Sequence, residues 1–218
     1  MRSWALVMKP ARILFITGSG TDVGKTVFAA LTTRSLRDHG FHVAALKPIC
    51  SGGRDDARQL HQAAGKVLTL DEVNPWHFRA ALAPLLAARQ EKKRLRLRTV
   101  VAHIRRIANR FEVVIVEGAG GLLSPLGEDF DSRDLIQALK AEAIVVCPNK
   151  LGAVNQVRLV LEALPRASAR QARVVLVNPK KPDAASRMNL ELLTEFVASK
   201  RILVLPWVEG WPPVQNVR

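Results

Sequence analysis

Lys25 and Thr26 close a run, Gly18-Ser19-Gly20-Thr21-Asp22-Val23-Gly24-Lys25-Thr26, whose residue types suit the gripping of a polyphosphate. Glycines let a backbone turn its N–H groups inward around phosphate oxygens. A lysine adds a point charge, and a threonine hydroxyl can ligate Mg²⁺. Five residues separate Gly18 from Gly24, one more than the usual phosphate loop holds. Further along, Glu117 leads into Gly118-Ala119-Gly120-Gly121. A carboxylate ending a strand beside such a loop can hold Mg²⁺ directly or through water, and the small residues after it let a ligand approach the backbone. Asp56 is a second candidate carboxylate, although the helix dipole alone favours an acid at a helix start; Asp55 beside it strengthens that plainer reading and leaves open which of the two would be the ligand. Lys47, held extended by Pro48, suits anionic groups. Ser51 either donates a hydrogen bond to a substrate or opens a turn before Gly52-Gly53. Asn178 either reads an adenine edge or forms a turn before Pro179.

These side chains need elements to carry them. Apolar runs rich in Val and Ile predict strands over residues 12–17, 42–46, 112–117, 143–147, 173–177 and 202–205. Helical patterns predict helices over residues 25–38, 55–64, 80–89, 99–109, 154–164 and 184–199. Such alternation implies an α/β fold with a mainly parallel central sheet and helices on both faces. The phosphate loop then sits between the first strand and the first helix, whose N-terminal dipole faces the anion. With no repeat or composition break, residues 1–218 read as a single domain. Residues 1–10 read as an N-terminal extension, with Met8 an alternative start, and residues 209–218, including Trp211-Pro212-Pro213, as a flexible tail.

Hydrophobic residues make up 48% and charged residues 24% of the 218, which argues against wholesale disorder. No apolar stretch approaches the ~20 residues needed to cross a bilayer. Cys50 and Cys147 form no ligand pattern or disulfide framework, which suits a cytoplasmic protein. The net charge of +14 is concentrated between Arg89 and Arg110. Clustered Lys and Arg attract nucleic acid. Here, however, Val100, Val101, Ile104, Ile107 and Ala108 recur at helical spacing and no aromatic residue interleaves with the charges, so the solvated face of a helix is the preferred reading.

The lengthened loop, with Val23-Gly24-Lys25-Thr26, resembles that of the dethiobiotin synthetase family. Lys47-Pro48-Ile49-Cys50-Ser51-Gly52, Asn74-Pro75-Trp76, Val116-Glu117-Gly118-Ala119-Gly120-Gly121-Leu122, Lys150-Leu151-Gly152-Ala153-Val154-Asn155 and Pro206-Trp207 are similar to further blocks of that family, in the same order. The resemblance implies a ligase of biotin biosynthesis that uses ATP and Mg²⁺ to close 7,8-diaminopelargonic acid and CO₂ into dethiobiotin. The carbamate and its phosphorylated form would be the intermediates. It implies catalytic roles for Lys25, Lys47 and Thr21, and Mg²⁺ on Thr26, Asp56 and Glu117. It implies nucleotide contacts from Asp22 through Val27, with Val23, Gly24, Lys25 and Thr26 between, and from Asp56, Glu117, Gly118, Ala119, Gly120, Asn178, Pro179, Pro206, Trp207 and Val208. Thr21, Lys47, Ser51, Leu151, Gly152 and Asn155 would receive the diamine, the last three across a homodimer interface. One alternative is a partner-regulated ATPase of the partitioning type, but Gly20 stands where that class carries a signature lysine. Another is a ligase of the cobyrinic acid type, whose usual glutaminase domain has no room in this length.

Overall fold

A computed structural model describes residues 10–209, so most of the proposed N-terminal extension (1–10) and tail (209–218) lies outside the described residues. Six strands form one parallel sheet: β1 (Arg12–Gly18), β2 (Val43–Leu46), β5 (Val113–Glu117), β6 (Glu142–Pro148), β7 (Arg173–Val177) and β8 (Ile202–Leu205), in the order β2-β5-β1-β6-β7-β8. Every neighbouring pair is parallel. Burial alternates strictly between the two faces. Phe15, Val114, Val116, Ala143 and Val145 belong to one apolar cluster, whereas Ile16, Val113, Ile115, Ile144 and Val146 belong to the other. Strands coated on both sides must be apolar throughout, which is why the runs lack a polar alternation.

Helices α1 (Lys25–Asp38) and α2 (Asp55–Ala63) cover the second face. α4 (Pro84–Gln90), α5 (Leu97–Ala108) and α6 (Ser132–Leu139) cover the first. α5 buries Val100, Val101, Ile104, Ile107 and Ala108 and turns its arginines outward, as its spacing predicts. Toward β8, α7 (Ala153–Ala163) and α9 (Ala184–Thr194) enclose a smaller core around Cys147, Leu176 and Leu193.

The structure adds elements that hydrophobic periodicity does not reveal. β3 (Ile49–Ser51) and β4 (Trp76–Phe78) are three-residue strands that form a separate parallel pair. α3 (Leu70–Val73) and α8 (Arg166–Gln171) are too short to show a period. The expected helix over residues 80–89 begins only at Pro84, which occupies the first helical turn where a missing N–H costs nothing. The helix expected over residues 184–199 ends at Thr194, ahead of a 3₁₀ turn at Ser199–Arg201.

Candidate active site

The register of the sheet assembles the site. Ile16 pairs with Glu117, so the acid at the end of β5 lies beside the start of the glycine loop leaving β1. Asp22 (φ 56°) and Gly24 (φ 96°) both take the left-handed conformation, which curls the loop back over the start of α1. Gly24 is the N-cap of α1 and offers no side chain, leaving the first-turn N–H groups available for an anion. A Cβ on Gly18 would lie 2.6 Å from Val23 Cγ2, so only glycine fits there. The 118–121 segment packs onto the loop, with the Cβ position of Gly121 3.6 Å from both Gly18 O and Gly20 N.

Four polar side chains meet beneath the loop. Lys47 Nζ makes a short contact with Glu117 Oε1, lies 3.0 Å from Asp56 Oδ2, and donates to Gly118 O at 3.2 Å. Thr26 Oγ1 donates to Glu117 Oε1 at 2.9 Å. Lys47 and Glu117 are buried. Burial pulls the Lys47 ammonium down, but Glu117 and Asp56 outweigh it and hold the group above its ordinary range, fully charged. Lys47 in turn holds the Asp56 carboxyl below its usual range. Lys25 donates to Gly20 O at 2.6 Å, and burial, with Lys47 nearby, lowers its pKa to about 8. The two candidate acids are thereby separated: Asp56 joins the cluster, while Asp55 points outward onto Arg58 at 2.6 Å.

A brace below the cluster escapes sequence reading. Asn74 is fully buried, donates to Lys47 O at 2.7 Å, and accepts from Arg54 Nε at 3.1 Å. Arg54 also reaches Leu70 O, Asn74 O and Asp71, tying α3 to the start of α2 and fixing the backbone that carries Lys47. Ser51 lies on β3, partly buried, with its backbone paired to Phe78. Cys50 is buried, and that burial lifts its thiol to about 12, so it stays protonated.

The remaining candidates lie farther along the same edge of the sheet. Val177, at the end of β7, packs against the loop, its Cγ2 3.2 Å from where a Cβ on Gly24 would lie. Asn178 and Pro179 follow directly, and Asn178 N donates to Leu205 O, bringing Pro206, Trp207 and Val208 to that end. Leu151, Gly152 and Asn155 surround the start of α7 and are exposed. Thr21 is exposed at the mouth of an open groove of about 530 Å³, which Gly20, Leu122, Leu123, Leu159 and Val160 also line.

A parallel sheet whose first strand, glycine loop and helix form an anion cradle, flanked by a strand-end carboxylate, defines a P-loop nucleotide-binding α/β protein. Solved structures with this architecture include the signal recognition particle 54 kDa protein of Aeropyrum pernix (15% identity, 91% of this chain and 42% of that one, TM-score 0.53). A ParA family ATPase of Chlorobium tepidum is similar at 14% identity, covering 91% and 85% of the two chains, with TM-score 0.55. At these identities the likeness is one of fold alone.

A family described as an AAA domain matches residues 12–214. Curated relatives named ATP-dependent dethiobiotin synthetase BioD are similar over most of their length. That of Akkermansia muciniphila is 36% identical over 85% of this chain and 87% of its own. That of Anaeromyxobacter dehalogenans is 38% identical over 90% of each, and that of Bacillus subtilis 31% identical over 94% and 89%. The chain belongs to the dethiobiotin synthetase family.

Proposed function

We propose that this chain is an ATP-dependent ligase of biotin biosynthesis that forms dethiobiotin from 7,8-diaminopelargonic acid and CO₂. Membership of the family supports the overall reaction. The observation that supports the site is the buried Lys47, bridging Glu117 and Asp56 directly beside the phosphate loop.

In the proposed sequence one amine of the diamine adds to CO₂ and loses a proton, giving a carbamate. A carbamate oxygen attacks the γ-phosphorus of ATP, the bond to the β-phosphate oxygen breaks, and ADP leaves. The second amine then attacks the carbonyl carbon of the mixed anhydride, phosphate departs, and loss of a proton completes the cyclic urea. Lys47 is charged and fixed, so it offsets the anionic carbamate without reorganising as the reaction proceeds. Lys25 and the N–H groups of Asp22, Val23, Gly24, Thr26 and Val27 would hold the phosphates, with Gly118, Ala119 and Gly120 closing the other side. Thr21 and Ser51 orient the amine end, a positioning role. The groove lined by Leu122, Leu123, Leu159 and Val160 suits the aliphatic chain. Leu151, Gly152 and Asn155 of a second copy would meet its carboxylate, making the working unit a homodimer.

The donor set fits Mg²⁺. Glu117 Oε2 is buried and has no hydrogen-bond partner among the described residues, and Asp56 is held ionised. Among the described residues no cluster of three His, Cys, Asp or Glu makes a complete protein cage. Two carboxylates and a hydroxyl suit a hard ion that completes its shell with phosphate oxygens and water. Thr26, Asp56 and Glu117 would hold it, and it would offset charge on the β- and γ-phosphates.

The deciding measurement is diamine- and bicarbonate-dependent phosphate release, with the product identified by mass. The expected result is dethiobiotin with at least one of ATP, CTP or GTP; no product with any of them refutes the assignment. Undiminished turnover in both Lys25→Ala and Lys47→Ala would refute the site while leaving the reaction standing.

A further inference from the structure

Behind Asn178 lies a buried polar network that the proposed reaction does not use. Its hub is Asn149, 2% exposed, just past β6. Asn149 Nδ2 donates to Asn178 Oδ1 at 2.7 Å and to Ser186 O at 2.8 Å. Its Oδ1 accepts from Asn189 Nδ2 at 2.8 Å, and Asn189 Nδ2 also donates to Lys150 O at 2.9 Å. Ser186 Oγ donates to Asn149 O at 2.9 Å, and Ser186 lies in the first turn of α9, within the capping box of Asp183.

The hydrogen-bond sense of this network has one solution. The carbonyls of Lys150 and Ser186 can only accept, so Asn189 and Asn149 must turn their NH₂ groups toward them. Turning Asn149 over would set its Oδ1 against the Ser186 carbonyl and its NH₂ against the NH₂ of Asn189. A buried amide facing like against like costs far more than one bond. The direction of the Asn149–Asn178 bond is therefore fixed, and with it the amide of Asn178: oxygen inward, NH₂ away from the network.

We infer that Asn149 is a positioning residue for base recognition, locking Asn178 so that it offers the nucleotide base N–H donors in a single orientation. The inference rests on the reading of Asn178 as the residue that meets the base. A locked amide prefers base edges that present an acceptor, whereas an amide free to turn over accommodates donor and acceptor edges alike. Asn149 thus contributes to selectivity among nucleoside triphosphates without touching the base.

The test compares kcat and KM for ATP, GTP and CTP in the wild type, Asn149→Leu, Asn149→Asp, Asn149→Ser and Asn178→Ala, with inorganic tripolyphosphate as a competitor that carries no base. In Asn149→Leu the ratio of kcat/KM between preferred and disfavoured nucleotides should narrow about five- to tenfold, the worth of one or two well-placed hydrogen bonds. The change should lie in KM, with kcat and tripolyphosphate inhibition within twofold of wild type. Asn149→Asp, nearly the same size, accepts from Asn178 instead of donating to it. It should shift the ranking of the bases; because it also turns an oxygen toward the Ser186 carbonyl, the smaller Asn149→Ser, which removes the lock without that clash, reports if either variant folds poorly. The Asn149→Leu/Asn178→Ala double variant should be no less selective than Asn178→Ala alone. Wild-type selectivity in the Asn149 variants, alongside a narrowed Asn178→Ala, overturns the positioning role only. Unaltered selectivity in Asn178→Ala removes the base reading and this inference with it, while leaving the ligase reaction in place. Weakened tripolyphosphate inhibition in step with the loss of selectivity would mark Asn149 as merely structural and also overturn the inference.

Discussion

At the scale of single residues, Lys47 and Glu117 pose the main energetic question. Removing an ammonium and a carboxylate from water costs several kcal/mol each, and mutual attraction only approximately repays it. In the proposed reaction that desolvation falls where a fixed positive charge would offset a carbamate and a transferring phosphoryl group. Breaking such a pair leaves an uncompensated buried charge. Lys47→Met should abolish diamine-dependent phosphate release and lower the unfolding free energy by about 3 kcal/mol, read from urea denaturation. Adding Glu117→Gln removes the stranded carboxylate and should restore most of that stability, yet no turnover. A double variant as unstable as Lys47→Met would show that the pair is not energetically coupled.

At the scale of elements, short structures under the site hold the backbone that carries Lys47 in place. Thr69 and Glu72 form a reciprocal capping box on α3, and Glu72 O meets His103 Nε2 at 2.8 Å, joining α3 to α5. The His103 ring also packs edge-on against Trp76 of β4, with centroids 5.5 Å apart. Glu72 Oε1, with Arg110 at 2.9 Å and Arg106 at 4.0 Å, supplies the charged surroundings of that ring. Burial lowers the His103 pKa below 6.5, so the unfolded chain takes up this proton more readily than the folded one. Stability from this group is therefore complete above pH 6.5 and declines as pH falls from there toward the folded pKa. The melting temperature of His103→Gln should fall less than that of the wild type between pH 7 and pH 5; parallel curves would refute the assignment. These connections also explain what sequence reading could reach. The buried strands announce themselves as continuous apolar runs, and the Gly24-Lys25-Thr26 run through residue type. β3, β4 and α3 span three or four residues, too few to show a period, and β3 and β4 exist because the Arg54–Asn74 brace and their mutual pairing hold them. The choice of Asp56 over Asp55 depends on which acid faces Lys47, a matter of helix rotation that adjacent identical residues leave open. Asn149 carried no motif at all; only the meeting of β6, β7 and α9 gives it meaning.

At the scale of the whole molecule, charge and apolar exposure are distributed differently. Much of the basic stretch is engaged on the surface: Arg89 grips Glu128, Arg110 meets Glu72, and Arg105 bonds Ala138 O. Exposed pairs of this kind contribute little to stability, so the +14 charge acts mainly on solubility and on attraction of anions. The exposed apolar side chains are a stronger pointer to assembly. Leu123 is 52% exposed, Leu159 62% and Leu151 84%; the first two border the groove beside the phosphate loop, and Leu151 lies at the start of the helix that carries Leu159. Leaving these residues in water is unfavourable by roughly 25 cal/mol for each Å² that a partner would cover. A second copy docked there would close the groove and bring its own Leu151-to-Asn155 segment toward the bound diamine. The expected mass in light scattering is accordingly twice the 24.0 kDa of the chain. Leu159→Glu, which sets a charge in that contact, should shift the population to monomer and raise KM for the diamine while leaving ATP affinity nearly unchanged. ATP affinity is retained because the phosphate loop, Lys25 and Thr26 all belong to one chain. A monomeric wild type with full activity would refute the shared site, and a Leu159→Glu dimer with unaltered KM would move the interface to another face.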